Sequence, residues 1–237
     1  MIPVDWPTTY QEALALQEEL RHRVQLIPLP HPPRFVAGAD AICDRGDERI
    51  FGAIAVYSYP DLELVEEAGA ADVCPFPYRT GLLSFREVPI LAAAFERLKQ
   101  PPDVLLVDGQ GIAHPRGLGL AAHLGLVLDL PTIGVAKSRL VGQGEEPGPD
   151  AGAASTLIWQ GKEVGVILRT QRGRKPSYLS PGHRITLAEC REIVMGCVRR
   201  YRHPEPLRQA DKLSRRLRST PWNPNGTRSD RGHDSRR

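Results

Sequence analysis

The sequence predicts an α/β chain built on a mixed β-sheet with helices on both faces. Three observations carry this expectation. Strand-like segments joined by short turns follow an N-terminal helix. Val104 to Val107 is an uninterrupted apolar run of the kind covered on both faces. From there on, helical and strand periodicities alternate.

Taken in order, Thr8 to Val24 spaces its apolar residues at helical intervals behind threonines suited to an N-cap. A proline-rich connector, Pro28 to Pro33, leads into the short strand of residues 35–40, which ends in Asp40. Ile50 to Tyr59 and Leu62 to Val73 read as strands joined by the Tyr59-Pro60-Asp61 turn. A proline-crowded loop, Cys74 to Tyr78, precedes a helix over Ser84 to Lys99, with Ser84 and Glu87 spaced as a capping box. The Val104 strand ends at Asp108-Gly109-Gln110-Gly111, and Gly117 to Leu130 is a Gly/Ala-rich helix able to pack closely on a sheet. Thr132 to Ala136 is a further strand, followed by Lys137. A Gly/Pro/acid-rich loop spans Val141 to Ala154. Strands over 155–160 and 163–170 and helices over 186–201 and 205–217 complete the expected domain, residues 1–218. From Ser219 to Arg237 the composition predicts a disordered tail. This order is compatible with a ribonuclease H-like fold.

Composition narrows the class. At 237 residues, 41% hydrophobic and 25% charged, the chain has ordinary globular usage and enough length to bury a core. No apolar run reaches the roughly 20 residues of a membrane span. The N-terminus lacks the basic start and apolar stretch of a secretory signal. A soluble, cytoplasmic protein is expected. Cys43, Cys74, Cys190 and Cys197 form no Cys-x-x-Cys pair, and reduced thiols packed in the core suit that compartment. The net charge of +3 is uneven, since residues 212–237 hold eight Lys/Arg against two acids. Such a tail attracts nucleic acid by releasing counterions, or is simply a solvated end.

Four acids stand out: Asp40, Glu87, Asp108 and Asp211. Asp40 and Asp108 each close an apolar strand, which holds a carboxylate on a rigid support. Singly each has an ordinary explanation: a turn residue at Asp108, a cap partner at Glu87, a solvated helix charge at Asp211. Together they make a hard-cation site, because Mg²⁺ takes oxygen ligands and bridges to phosphate. Phosphodiester hydrolysis needs such an ion to activate water and stabilise the leaving oxygen. Lys137 follows a strand where an ammonium can meet a phosphate, or it is an ordinary strand-end lysine. His114, in the loop beyond Asp108, can bind phosphate, carry a proton or cap the next helix. The surrounding glycines lack G-x-G-x-x-G spacing, so a dinucleotide site is excluded.

Six strings now stand in order. They are Gly38-Ala39-Asp40; Pro77-Tyr78 with Gly81-Leu82-Leu83-Ser84-Phe85-Arg86-Glu87; Val107-Asp108-Gly109-Gln110-Gly111; Ala113-His114-Pro115-Arg116; Gly134-Val135-Ala136-Lys137; and Pro204 to Asp211. In this order they resemble the signature segments of the endonuclease V family. The resemblance implies a ribonuclease H-like fold and Mg²⁺-dependent cleavage, with Mn²⁺ as substitute, at the second phosphodiester bond 3′ of inosine in DNA, with single-stranded RNA as a further substrate. It implies metal binding by Asp40, Glu87 and Asp108, with Asp211 at a position that is Asp in some members and His in others. Lys137 would support the scissile phosphate or the attacking water. Tyr78 matches the wedge tyrosine that fills the gap left by an extruded base, although Arg79-Thr80 departs from the residues usual after it. Gly81, Leu83, Gly109, Leu120, Ala136 and Leu140 match the main-chain base pocket. A monomer acting in repair of deaminated bases is expected. A broader nuclease of the same fold and a non-catalytic binding module are the alternatives.

Overall fold

The computed structural model describes residues 6–43, 49–74 and 76–220. Three antiparallel strands come first: β1 (Phe35–Cys43), β2 (Arg49–Ser58) and β3 (Leu64–Val73). β4 (Val104–Val107) and β5 (Thr132–Ala136) then add parallel to β1. β6 (Ala154–Trp159), β7 (Lys162–Leu168) and β8 (Ser177–His183) finish the sheet by antiparallel pairing. Its order is β3-β2-β1-β4-β5-β8-β7-β6. The C-terminal ends of the parallel strands β1, β4 and β5 therefore meet along one edge.

Two helical layers explain the strand sequences. α2 (Ser84–Phe95) and α3 (Leu120–Leu128) bury Val88, Leu91 and Leu124 against Ala37, Ala39, Leu105 and Val107. The alternate residues Val36, Val104 and Leu106 face Cys190, Ile193 and Val194 of α4 (Leu187–Gly196) and Leu207 of α5 (Glu205–Ser219). All four residues of β4 are buried, which is why its run is uniformly apolar. α1 (Tyr10–Arg21) lies outside α3, with Leu20 packed on Leu118 and Leu126. Its N-cap Thr9 and Glu12 form a complete capping box.

At Gly38 an added Cβ would stand 2.2 Å from the backbone carbon of Pro206. α5 thus rests its backbone on β1, and this close approach brings Asp211 and Ser214 over Asp40. At Gly134 a Cβ would come within 2.4 Å of the Gly111 nitrogen, so β5 admits the loop that follows Asp108.

Several expectations change. β8 was not foreseen, because Pro181-Gly182 inside it reads as a turn. The proline is tolerated because β7 pairs only with residues 177–179 of β8, and the β5 register shifts opposite it. Ser84 and Glu87 form no capping box: Leu83 is the N-cap and makes no side-chain bond. Ser84 Oγ instead meets His123 Nδ1 at 3.0 Å, and the His123 ring stacks on Trp6, whose indole N–H donates to the Phe85 carbonyl at 3.0 Å. The helix expected over 186–201 ends at Gly196. Cys190 and Cys197 are core residues, while Cys43 and Cys74 pack on the α2 side. Among the described residues no helix is long and apolar enough to cross a membrane. α5 runs through Ser219, and residues 221–237 of the expected tail lie outside the described residues.

Candidate active site

Asp108 sits one residue past β4, and its amide donates to the Ala39 carbonyl at 3.2 Å, so it stands beside Asp40 of β1. Lys137, one residue past β5, reaches across and donates to Asp108 Oδ2. Glu87, in the first turn of α2, feels the charges of both aspartates. Asp211 of α5 is near enough for its charge to act on Asp40. The four acids chosen from sequence thus come from four elements and meet at one end of the sheet.

Their protonation behaviour reflects that crowding. Burial raises Asp40 to about 6; the Ser214 hydroxyl opposes this, while the charges of Asp108 and Asp211 add to it. Burial also raises Glu87, to about 8, reinforced by the charges of Asp40 and Asp108. At Asp108 burial works the same way, but His203 and Lys137 outweigh it and hold the carboxyl below its ordinary range. Asp40, Glu87 and Asp108 offer oxygen donors only, the set preferred by a hard divalent cation, which would relieve their mutual repulsion. Among the described residues no group of three or more His, Cys, Asp or Glu side chains is arranged to hold a metal ion on its own. An ion that keeps several waters and takes substrate phosphate as a ligand can be held by one or two carboxylates.

Three neighbours were not singled out by sequence reasoning. The buried Ser214 hydroxyl donates to Asp40 Oδ2 at 2.7 Å. His203 Nε2 stands 3.8 Å from Asp108 Oδ2, longer than a hydrogen bond. Arg215 Nε and Nη2 both lie 2.9 Å from Asp211 Oδ1, so this carboxylate already has a cation.

Beside Asp108 opens a cavity of about 370 Å³, within the range of small-ligand pockets. Tyr78, Gly81, Leu83, Gly109, Leu120, Ala136 and Leu140 all line it, together with Asp108, Lys137 and His114. Asp40, Glu87 and Asp211 do not. Tyr78 is 67% exposed at the mouth, ahead of a loop anchored by buried Phe76. Arg86 fixes that loop by donating to the Phe76 carbonyl at 2.7 Å and to Cys43 Sγ at 2.9 Å. Arg79 and Thr80 are exposed and also line the cavity.

The rim is built by two polar residues hidden in the sequence pattern. Buried Gln17 of α1 donates to the carbonyls of Gly81 (3.1 Å) and Leu118 (2.9 Å). Arg116 donates to Gln17 Oε1 and to the Gly81 carbonyl at 2.7 Å. Gly81 has φ +79°, a left-handed turn that suits only glycine there. His114 is lowered to about 4 by burial and then by the Arg116 charge. Its Nδ1 faces the Arg116 amide at 3.2 Å. It is therefore neutral at pH 7.

A sheet of this order, with carboxylates gathered at the ends of its parallel strands, defines a nuclease of the ribonuclease H-like class. The family model for endonuclease V matches residues 18–212. An endonuclease V from Nostoc punctiforme is 48% identical over 210 residues, covering 88% of this chain and 95% of that protein. The crystal structure of the Streptomyces avermitilis endonuclease V superposes with TM-score 0.86 at 44% identity, over 91% of this chain and 96% of that one. The Ciona intestinalis endonuclease V, solved with a 23mer DNA containing an inosine, superposes with TM-score 0.78 at 29% identity, over 87% and 95%. The chain belongs to the endonuclease V family and is an endonuclease.

Proposed function

We propose that this enzyme cleaves the second phosphodiester bond 3′ of inosine in DNA, and in single-stranded RNA, with Mg²⁺ or Mn²⁺ held by Asp40, Glu87 and Asp108. The observation that carries the reading is the cavity that opens directly on Asp108. A base turned out of the strand and seated there leaves its 3′ phosphates beside the carboxylates. The DNA complex of the Ciona relative supports the choice of lesion. Asp211, engaged by Arg215, contributes through its charge and through a ligand position at the edge of the site.

Each residue then has a physical task. Tyr78 fills the space of the extruded base from a loop that Arg86 and Phe76 hold in place. Main-chain groups of Gly81, Leu83, Gly109, Leu120, Ala136 and Leu140 enclose hypoxanthine, which offers O6 as acceptor and N1–H as donor. A close-fitting wall there would exclude the 2-amino group of guanine while main-chain groups read the shared edge. His114 keeps the cavity's floor in shape. Lys137, tethered by Asp108, places an ammonium at the scissile phosphate or the attacking water. A bound Mg²⁺ supplies Lewis-acid stabilisation and a more acidic water.

The test is cleavage of labelled strands carrying one inosine, as DNA and RNA, against matched adenosine and guanosine strands, with Mg²⁺, Mn²⁺ or EDTA. One metal-dependent cut at the second bond 3′ of inosine is the expected result. Cuts in every strand would instead mark a broader nuclease, and tight binding without a cut a binding module.

Ser214 provides a second check. Its hydroxyl is the hydrogen bond that orients Asp40, and loss of such an outer partner costs about 10-fold or more in metal affinity. Ser214→Ala is expected to weaken Mn²⁺ binding by about 10-fold in calorimetric titration. Unchanged affinity would remove Ser214 from the site's support.

A further inference from the structure

On the α4/α5 side of the sheet two loops meet, residues 169–176 between β7 and β8 and residues 197–204 between α4 and α5. They enclose a concavity lined by Gln171, Arg174, Lys175, Arg200, Tyr201 and Arg202. Arg174, Lys175 and Arg200 are exposed and, among the described residues, have no acidic partner within ion-pair distance. The neighbouring Arg172, by contrast, is matched by Asp150 at 3.4 Å.

The loops are pinned to each other rather than left loose. Arg202 Nη1 donates to the Lys175 carbonyl at 3.2 Å, and Thr170 Oγ1 donates to the Arg202 carbonyl at 2.7 Å. Gln171 Nε2 donates to the Arg199 carbonyl at 3.3 Å. Tyr201 is 48% exposed, and the Arg208 guanidinium lies 3.5 Å over its ring. A fixed cationic groove beside an exposed aromatic is how single-stranded nucleic acid is held without sequence preference.

The groove is joined to the carboxylates through the α4–α5 loop. Arg202 precedes His203, whose imidazole stands 3.8 Å from Asp108. Arg200 is three residues from His203, a Cα separation of at most about 11 Å. The base cavity approaches Asp108 from the side of α3 and the Tyr78 loop, whereas this groove lies at the β7–β8 and α4–α5 loops. A strand with its base in the cavity and its cut bond at Asp108 continues onto the groove.

We infer that Arg174, Lys175, Arg200 and Tyr201 bind the phosphodiester backbone on the 3′ side of the scissile bond. The direction rests on the cleavage position proposed above; the affinity for a backbone does not. These groups touch no reacting atom, so they contribute uniform binding and leave the chemical step unchanged.

The test uses the full chain and its R174Q/K175Q/R200Q variant, with inosine strands whose 3′ flank either stops just past the cut or extends well beyond it. On the long flank the variant is expected to bind about 10-fold more weakly. Its salt slope should be shallower by about 2, at roughly 0.7 for each phosphate that is no longer neutralised. On the short flank it should bind and cleave like the unmodified enzyme. R174K/R200K, which keeps both charges, should restore long-flank binding. Equal affinity of variant and parent on the long flank, or equal loss on both flanks, would overturn the inference. Loss that follows the 5′ flank would do so as well. If the parent enzyme treats inosine and adenosine strands alike, the proposed function fails. The groove is then still judged by the salt slope on adenosine strands.

Discussion

Asp108→Ala is expected to slow metal-dependent cleavage of an inosine strand by at least about 10³-fold, because the carboxylate supports several kcal/mol of charge stabilisation at the reacting phosphate. Asp108 is where three arrangements intersect. It stands next to Asp40 through the β1–β4 pairing, it tethers Lys137, and it forms part of the base cavity's wall. Its carboxyl is also the one of the central three held below its ordinary range, so it is ionised throughout the working pH. Asp108→Asn keeps the volume and a hydrogen-bond acceptor for Lys137 but removes the charge. It should therefore remain folded and bind the strand while losing nearly as much rate as the alanine variant. Single-turnover cleavage with saturating Mn²⁺, alongside strand binding in EDTA, separates the two effects. A rate within 10-fold of the parent in either variant would remove Asp108 from the chemistry.

That the sequence exposes Asp40, Asp108 and Lys137 has a simple cause. Asp108 and Lys137 each directly follow a strand that is buried throughout, and Asp40 comes just after the buried run Val36–Ala39 of β1, so the end of an apolar run and a polar residue coincide in the primary pattern. Glu87 was legible only as a helix-start acid, and its sequence reading as a cap partner fails. The contact that removes Ser84 from capping comes from His123 in another helix. Local spacing carries no trace of it. The same holds for Ser214 on Asp40, separated by 174 positions, and Gln17 on Leu118, separated by 101. β8 was hidden for a different reason: Pro181-Gly182 obeys turn statistics, and only the absence of a β7 partner at that point makes it tolerable. The cavity residues are a third case. Gly81, Gly109 and Ala136 would contribute to base binding through backbone position, which has no side-chain signature. They were reached through the order of the six strings, and the structure then places all of them in one wall.

The crowding of carboxylates should also be measurable without substrate. Glu87→Gln is expected to raise the melting temperature of the metal-free protein at pH 8 while leaving it nearly unchanged below pH 4.5. In the folded chain burial and the charges of Asp40 and Asp108 lift Glu87 from the ordinary 4.5 to about 8. Below 4.5 the group is protonated in both folded and unfolded chains and adds no difference. Between the two values the unfolded chain gives up the proton while the folded chain keeps it, so rising pH favours unfolding. Once both forms are ionised the loss is complete, on the order of 5 kcal/mol at 1.36 kcal/mol per pH unit. Glutamine carries no charge at any pH and escapes it. For a chain of this size that corresponds to roughly 10 °C. Mn²⁺ should reverse the pattern, stabilising the parent far more at pH 8 than at pH 5, since it binds deprotonated carboxylates. It should do little for the glutamine variant. Thermal unfolding in EDTA and in Mn²⁺ at both pH values reads all four conditions. Parallel pH dependence of parent and variant in EDTA would mean that Glu87 does not share the aspartates' field. Equal Mn²⁺ stabilisation of both proteins would mean that it does not hold the ion.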